Sequence, residues 1–384
     1  MELEKIGFYT FVRSQYQVLN HFTQKLYEAF LRTGLQCRLF HDTVESLNTL
    51  FSDPPDLLIG FNGIPYFDEH NSFPKRLKIP HLACLVDPPY RFWKLLSEPY
   101  VILGLDDKYF CQMLDQAHFP HRLFLPHAVE PELYSDEKQK PIYDVVMLAS
   151  FIDYEQRRNS WKTLFPSNVC RILDEAIEMT FADQHTSFVL AYNIALNRWK
   201  DVPKDLDFAI ILSELEMYLK GKDRVDLLKS MHDQPVHVFG ALGDSMSWQD
   251  CFSSNIIFHG PVNYPKALEI MKQSKIILNS CIKNKNGAHE RIFTGLMCGA
   301  LVLTNENPYL QSYFTDEENI LFYRHEELPK ILDKVNKYLE DESARQRMVH
   351  DGREIVLRHH TWDQRAASLL KDLPPLIQSL NDHP

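Results

Sequence analysis

The class of this protein is narrowed first by what its sequence does not contain. No apolar run approaches the roughly 20 residues that a membrane span requires. The opening Met1-Glu2-Leu3-Glu4-Lys5 lacks the basic-then-apolar order of a secretory signal, so a cytoplasmic protein is expected. Seven cysteines (Cys37, Cys84, Cys111, Cys170, Cys251, Cys281 and Cys298) stand singly, with no C-x-x-C pair. That pattern suits reduced core thiols better than a disulfide framework or a cysteine metal site. The 17 histidines include no H-E-x-x-H or similar ligand spacing, and His359-His360 reads as a helix-end pair. There is no basic surplus: the net charge is −11 with histidine neutral. A broad nucleic-acid interface is therefore not expected, and any phosphates bound are few and local. The adjacent pair Asp106-Asp107 reads as a helix N-cap, and no metal is expected.

What is present is a chain of 384 residues, too long for one ordinary core, patterned as two alternations of strand and helix. In residues 1–127 the candidate strands are 5–10, 36–41, 56–61, 81–86, 100–105 and 121–125. A clear amphipathic helix over 17–32 puts Val18, Phe22, Leu26, Ala29 and Phe30 on one face, and Gly34 stops it. Residues 128–141 break the pattern. Pro131 and Pro141 bracket the charged Asp136-Glu137-Lys138, and this stretch reads as a linker. A second domain over 142–360 opens with a strand at 143–150. A mostly helical insertion over about 154–233 then interrupts it, with a candidate strand at 208–212. The alternation resumes with strands 236–239, 256–259, 275–280, 300–304 and 319–323. Residues 361–384 read as a helix that crosses back to cover the first domain. Such alternation predicts parallel sheets covered on both faces, with ligands bound beyond the C-terminal strand ends in a cleft between the two domains.

The chemically suggestive residues lie at those strand ends. Over 274–304 the sequence reads as buried strand, polar loop, helix, glycine turn and buried strand. The loop Lys283-Asn284-Lys285-Asn286-Gly287 reads as flexible and basic, and the helix opens near Ala288 or His289. A helix N-terminus presents free N–H groups and a positive dipole, which suits a diphosphate. Glu290 and Thr294 lie one turn apart on one face of that helix. Lys283 and Lys285 read either as phosphate partners or as solvated loop charges. Gly260-Pro261-Val262 follows a strand. It either offers backbone groups to a base or makes a tight turn into a helix capped at Asn263, with Tyr264 stacking on a ligand or stapling that helix. In the first domain Asp87 follows a strand, and Pro88-Pro89 stiffen its turn. It reads as a general base or as a turn residue. His127 at the linker reads as cleft-facing or hinge-packed, and Arg13 follows the first strand as a candidate cleft residue.

The 274–304 stretch resembles the donor-binding segment of GT-B glycosyltransferases, and especially the spore-maturation CgeB-like group. The shared run is a strand ending in Asn279, then the helix-opening Glu290-Arg291, then Cys298-Gly299 and an apolar strand. The similarity extends upstream through HGPVNYPKALEIMKQSKIILN and downstream through ENILFYRHEELPKIL and the segment from His359 to Trp362. It is weaker at VDPPYRFW, LPHAVEP and VVMLASFIDYEQRR. It implies an α/β fold of GT-B architecture: two Rossmann-like doubly wound domains, the second holding a nucleotide sugar. Arg157 and Arg158 stand where the family places a phosphate-binding cation. His289, Glu290, Arg291, Gly287 and Val262 fall in the donor segment. The wider superfamily often holds the ribose with an acid five positions before the glycine. Thr294 stands there in this chain, so Glu290 is expected to take that role.

The expected function is transfer of a sugar from a nucleoside-diphosphate donor to an acceptor hydroxyl or amide, with no cofactor and no metal. Glycan, protein and small-molecule acceptors all remain open, and nucleic acid is not expected. Two rivals remain: a GT-B-like scaffold that binds nucleotide or glycan without turnover, which Thr294 favours, and an epimerase on the same fold.

Overall fold

The structure is a computed structural model that describes residues 3–10, 15–68, 71–134, 140–199, 206–243, 252 and 254–382. Arg13, Cys251 and Asp136-Glu137-Lys138 lie outside the described residues. Two sets of short apolar segments build two parallel sheets. The first takes β1 (Lys5–Tyr9), β2 (Gln36–Phe40), β3 (Leu57–Phe61), β6 (His81–Leu85), β7 (Val101–Leu105) and β8 (Arg122–Phe124) in the order β2-β1-β3-β6-β7-β8. Strands β3, β6 and β7 are buried along their whole length, as expected for central strands covered on both faces. The edge strand β2 instead alternates exposure. A short antiparallel hairpin, β4 (Tyr66–Asp68) with β5 (Asn71–Ser72), was not foreseen from the sequence.

Helices α1 (Val18–Arg32), α2 (Val44–Ser52), α3 (Phe73–Leu77) and α4 (Lys108–Gln116) connect these strands. Phe22, Leu26, Ala29 and Phe30 are the buried stripe of α1, and Asp107 caps α4 by accepting from Tyr109 N–H at 2.8 Å. One compact unit consists of Met1–Pro131 together with Arg358–Pro384, and the other of Glu132–Leu357.

The second unit carries β9 (Tyr143–Leu148), β10 (Val236–Phe239), β11 (Ile256–His259), β12 (Ser274–Asn279), β13 (Leu301–Asn305) and β14 (Leu321–Tyr323). All are parallel, in the order β11-β10-β9-β12-β13-β14. Val145, Met147, Val236, Val238, Ile276, Leu278, Leu301 and Leu303 supply one face of this sheet to a common core. The insertion is four helices: α5 (Tyr154–Leu164), α6 (Ser167–Ala182), α7 (Phe188–Arg198) and α8 (Phe208–Lys229).

The candidate strand at 208–212 is therefore corrected: it is the start of α8. Asp207 caps it by accepting from Ala209 and Ile210 N–H, and the local FAIIL run continues at helical spacing through Leu215 and Leu219. After it come α9 (Tyr264–Lys272), α10 (Glu290–Cys298), α11 (Pro308–Gln311), α12 (Ile331–Glu340), α13 (Glu342–His359) and α14 (Trp362–Asp382). Strand order reverses at β9, whose neighbours β10 and β12 lead away in opposite directions. The C-terminal end of β9 is thus the topological switch point, where such sheets bind ligands. The chain just beyond β10 passes so close that a Cβ on Gly240 would lie 2.1 Å from the Ala149 carbonyl oxygen, which restricts that position to glycine.

Candidate functional site

Two arginines converge on the end of β9. Arg291, in the first turn of α10, donates from Nη1 to the Leu148 carbonyl at 2.7 Å. Arg224, on α8, donates from Nη1 to the Ser150 carbonyl at 2.7 Å. Arg224 is only 9% exposed, and its Nε has no partner. Burial, followed by repulsion from Arg291, pulls the Arg224 guanidinium down to about 10. A buried guanidinium and a half-buried one that repel one another form a candidate anion site. Beside them His289 takes the N-cap position of α10. Its Nε2 lies 3.0 Å from Arg291 Nη2, and its Nδ1 lies 2.5 Å from Glu290 Oε2. Nδ1 also accepts from Arg291 N–H at 3.3 Å, which makes His289 the N-cap of α10.

Arg224 was missed by the sequence reading. The available signal was that Glu216 and Asp223 fall in phase with the buried Leu212, Leu215 and Leu219 of α8, which puts charge on an apolar stripe. Asp223 is wholly buried. It accepts from Ser280 Oγ at 2.5 Å and Asn305 Nδ2 at 3.2 Å, while Asn305 Oδ1 accepts from Cys281 N–H at 2.6 Å. Burial raises its pKa, opposed by the bonds from Ser280 and Asn305. Asp223 thereby ties the ends of β12 and β13 to α8.

Several expectations need correction. The loop at 283–287 is packed rather than loose, since Lys283, Asn284, Lys285 and Gly287 are buried. Lys285 is not a phosphate partner. Its Nζ donates to the Thr180 and Asp183 carbonyls, both at 2.7 Å, at the C-terminal end of α6, where the helix dipole favours a cation. Burial pulls it down to about 8. The Gly287 carbonyl accepts from Asn307 Nδ2 at 3.0 Å. Arg157 pairs with Glu214 at 2.7 Å, and Arg158 pairs bidentately with Asp174 and lies over the Trp161 ring. Both arginines are thus engaged by carboxylates of the insertion rather than free for phosphate.

Thr294 is buried, and its hydroxyl has no partner. Val262 is half-buried in the turn before α9, which Asn263 caps by accepting from Lys266 N–H, and Tyr264 is buried. At the end of β11, His259 stacks on Phe239 with ring centroids 4.2 Å apart, an aromatic surface that the sequence reading also missed.

In the first unit, Asp87 follows β6 with its side chain 33% exposed, and its Oδ2 accepts from Asn62 Nδ2 at 2.9 Å. His127 is only 6% exposed. Its ring packs edge-on against Phe22, and its Nε2 lies 3.7 Å from Asp106 Oδ2. Of the two places expected for it, His127 takes the packed one, against Phe22. Among the described residues, no group of three or more His, Cys, Asp or Glu side chains is arranged to hold a metal, and no helix is long and apolar enough to cross a membrane.

The comparisons with known proteins bear on this geometry. Residues 223–371 match the family described as "Glycosyl transferase-like", a segment that begins one residue before Arg224 and includes all of α10. No curated protein matches the sequence. Among solved structures, the chain is similar to sucrose-phosphate synthase from Thermosynechococcus elongatus (10% identity, 98% of this chain and 100% of that one, TM-score 0.53). It is also similar to the DNA-modifying enzyme beta-glucosyltransferase (12% identity, 97% and 99%, TM-score 0.56). A third likeness is to T4 phage BGT in complex with UDP and Mn2+ (12% identity, 97% and 99%, TM-score 0.54). At these identities the likeness is one of fold. The fold is thus that of GT-B architecture, and residues 223–371 carry the glycosyltransferase-like match.

Proposed function

We propose that this protein is a glycosyltransferase that takes its sugar from a nucleoside-diphosphate donor held at the end of β9 and transfers it, without metal, to an acceptor hydroxyl or amide. The observation that carries this reading is the convergence of Arg224 and Arg291 on the Leu148 and Ser150 carbonyls, with Arg224 Nε still unspent. A diphosphate beside the pair relieves the repulsion between the guanidiniums. As the glycosidic bond breaks, charge grows on the departing diphosphate, where two fixed cations stabilise it most. A divalent ion would duplicate that work. The test is calorimetry with UDP, GDP, ADP and dTDP, with and without chelator. At least one is expected to bind equally well in both conditions, and strict magnesium or manganese dependence for all four overturns the metal-free reading. T4 phage BGT, seen with UDP and Mn2+, makes that arm a real contrast.

Glu290 is the ribose partner in this reading, held 2.5 Å from His289 in the first turn of α10. Glu290→Gln is expected to raise the nucleotide Kd about 10- to 100-fold, the scale of one charge-assisted hydrogen bond. An unchanged affinity with a lower Tm would make Glu290 a helix-dipole residue only.

Asn279, Glu290-Arg291, Cys298-Gly299 and the His359–Trp362 segment support placement in the CgeB-like group. The net charge of −11 argues against a polyanionic acceptor and for a glycan, a protein or a small molecule. Thr294, buried where the superfamily often has an acid, favours the second reading, a binding protein without turnover. Slow hydrolysis of any nucleotide sugar in the same panel rejects that alternative.

A further inference from the structure

Asn62 lies at the end of β3 with φ 52, a left-handed conformation that most side chains avoid and asparagine tolerates. Its N–H donates to the Cys84 carbonyl at 2.8 Å, which carries the parallel ladder one residue past the strand. The side chain then serves two consecutive residues beyond β6. Oδ1 accepts from Val86 N–H at 2.9 Å, and Nδ2 donates to Asp87 Oδ2 at 2.9 Å. A carboxamide supplies both an acceptor for a peptide N–H and a donor for a carboxylate, from two separate atoms, whereas a carboxylate lacks the donor and an apolar group lacks both.

On the other side of Asp87, Pro88 and Pro89 fix the backbone, and Arg91 Nη1 stands 3.8 Å from Oδ1. Asp87 is therefore held in rotamer through Oδ2, while Oδ1 makes only the long ion pair with Arg91.

We propose that Asn62 is a positioning residue for proton transfer. It holds the Asp87 carboxylate in the orientation from which Oδ1 accepts the proton of the acceptor hydroxyl. The proposal rests on the reading of Asp87 as general base. Asn62 touches no substrate and acts through Asp87 alone. Proximity without orientation is a weak catalyst, so freeing the rotamer is felt in the chemical step and not in donor binding.

The experiment uses Asn62→Gly, Asn62→Asp and Asp87→Asn in the full chain, with kcat, donor KM, Tm and the pH profile of kcat for each. Glycine adopts φ 52 freely, so Asn62→Gly is expected to fold normally, keep donor KM within about twofold, and lose about tenfold in kcat. Asn62→Asp places a second carboxylate against Asp87, raises its pKa and shifts the acid limb of the kcat profile upward by about one pH unit. The kcat loss of Asn62→Gly at unchanged Tm and donor KM is what a merely structural role does not produce.

If Asp87→Asn is inactive while both Asn62 variants keep wild-type kcat and an unshifted limb, Asn62 is a turn residue and the proposal is wrong. It is equally overturned if Asn62→Gly loses folded protein in proportion to activity and the Asn62→Asp limb stays put. If Asp87→Asn turns over normally, the general-base reading itself fails, and the positioning role falls with it.

Discussion

Arg224→Met is expected to weaken nucleotide-diphosphate binding by about 100-fold, the upper end for loss of a charge-assisted hydrogen bond, with little change in the Tm of the ligand-free protein. Methionine fills similar volume on α8, so no cavity opens. The Ser150 carbonyl loses its donor at 2.7 Å, but the cost of burying a guanidinium beside Arg291 disappears as well, and the two changes oppose one another. A buried arginine kept only for structure predicts the reverse pattern: a lower Tm and unchanged affinity per folded molecule. Isothermal titration beside thermal unfolding separates the two. Arg224→Lys is expected to recover only part of the loss, since an ammonium cannot bond the Ser150 carbonyl and present a second fixed donor in the same plane. In the Arg224→Met/Arg291→Met double variant, the losses should be strongly non-additive if both groups bind one anion.

Asp87→Asn is expected to lower transfer by roughly 100-fold or more while donor affinity stays within about twofold. The substitution is nearly isosteric, and the new amide can turn its oxygen toward Asn62 Nδ2, so the bond that holds the side chain survives. What is lost is the ability to take a proton. Single-turnover transfer assays read that step directly. Turnover near the wild-type rate would return Asp87 to a turn residue stiffened by Pro88 and Pro89, and the acceptor-side base would have to be sought elsewhere.

The sheets were legible because their strands are continuous apolar runs, and 236–239 and 256–259 were placed to the residue. Helix starts were legible through their caps, Asp107 and Asn263 among them. The anion site was not. Helical phase says that Arg224 is buried but not against what, and its partner, the Ser150 carbonyl, lies 74 residues away in sequence. The opposite error befell Arg157, whose partner Glu214 lies 57 residues away, and Lys285, whose partners are backbone carbonyls that no side-chain pattern announces. The apolar run at 208–212 misled because five residues cannot distinguish a strand from the first turns of a helix. Each of these failures concerns where a charge or an apolar run ends up, which tertiary folding decides and local pattern does not.

The return of the chain to its first unit bears on how the protein is made. Trp362 packs against Phe22 and Phe61 with centroids 5.5 and 6.0 Å away, and Arg365 donates to the Pro126, His127 and His359 carbonyls. A ribosome delivers Phe22 and Phe61 early and Trp362 only after every residue of the contiguous second unit has emerged. The usual order of cotranslational folding, N-terminal domain first, is therefore not open to this chain. The earlier-made unit carries an unfilled apolar face until Trp362 emerges, after the whole contiguous second unit has been made.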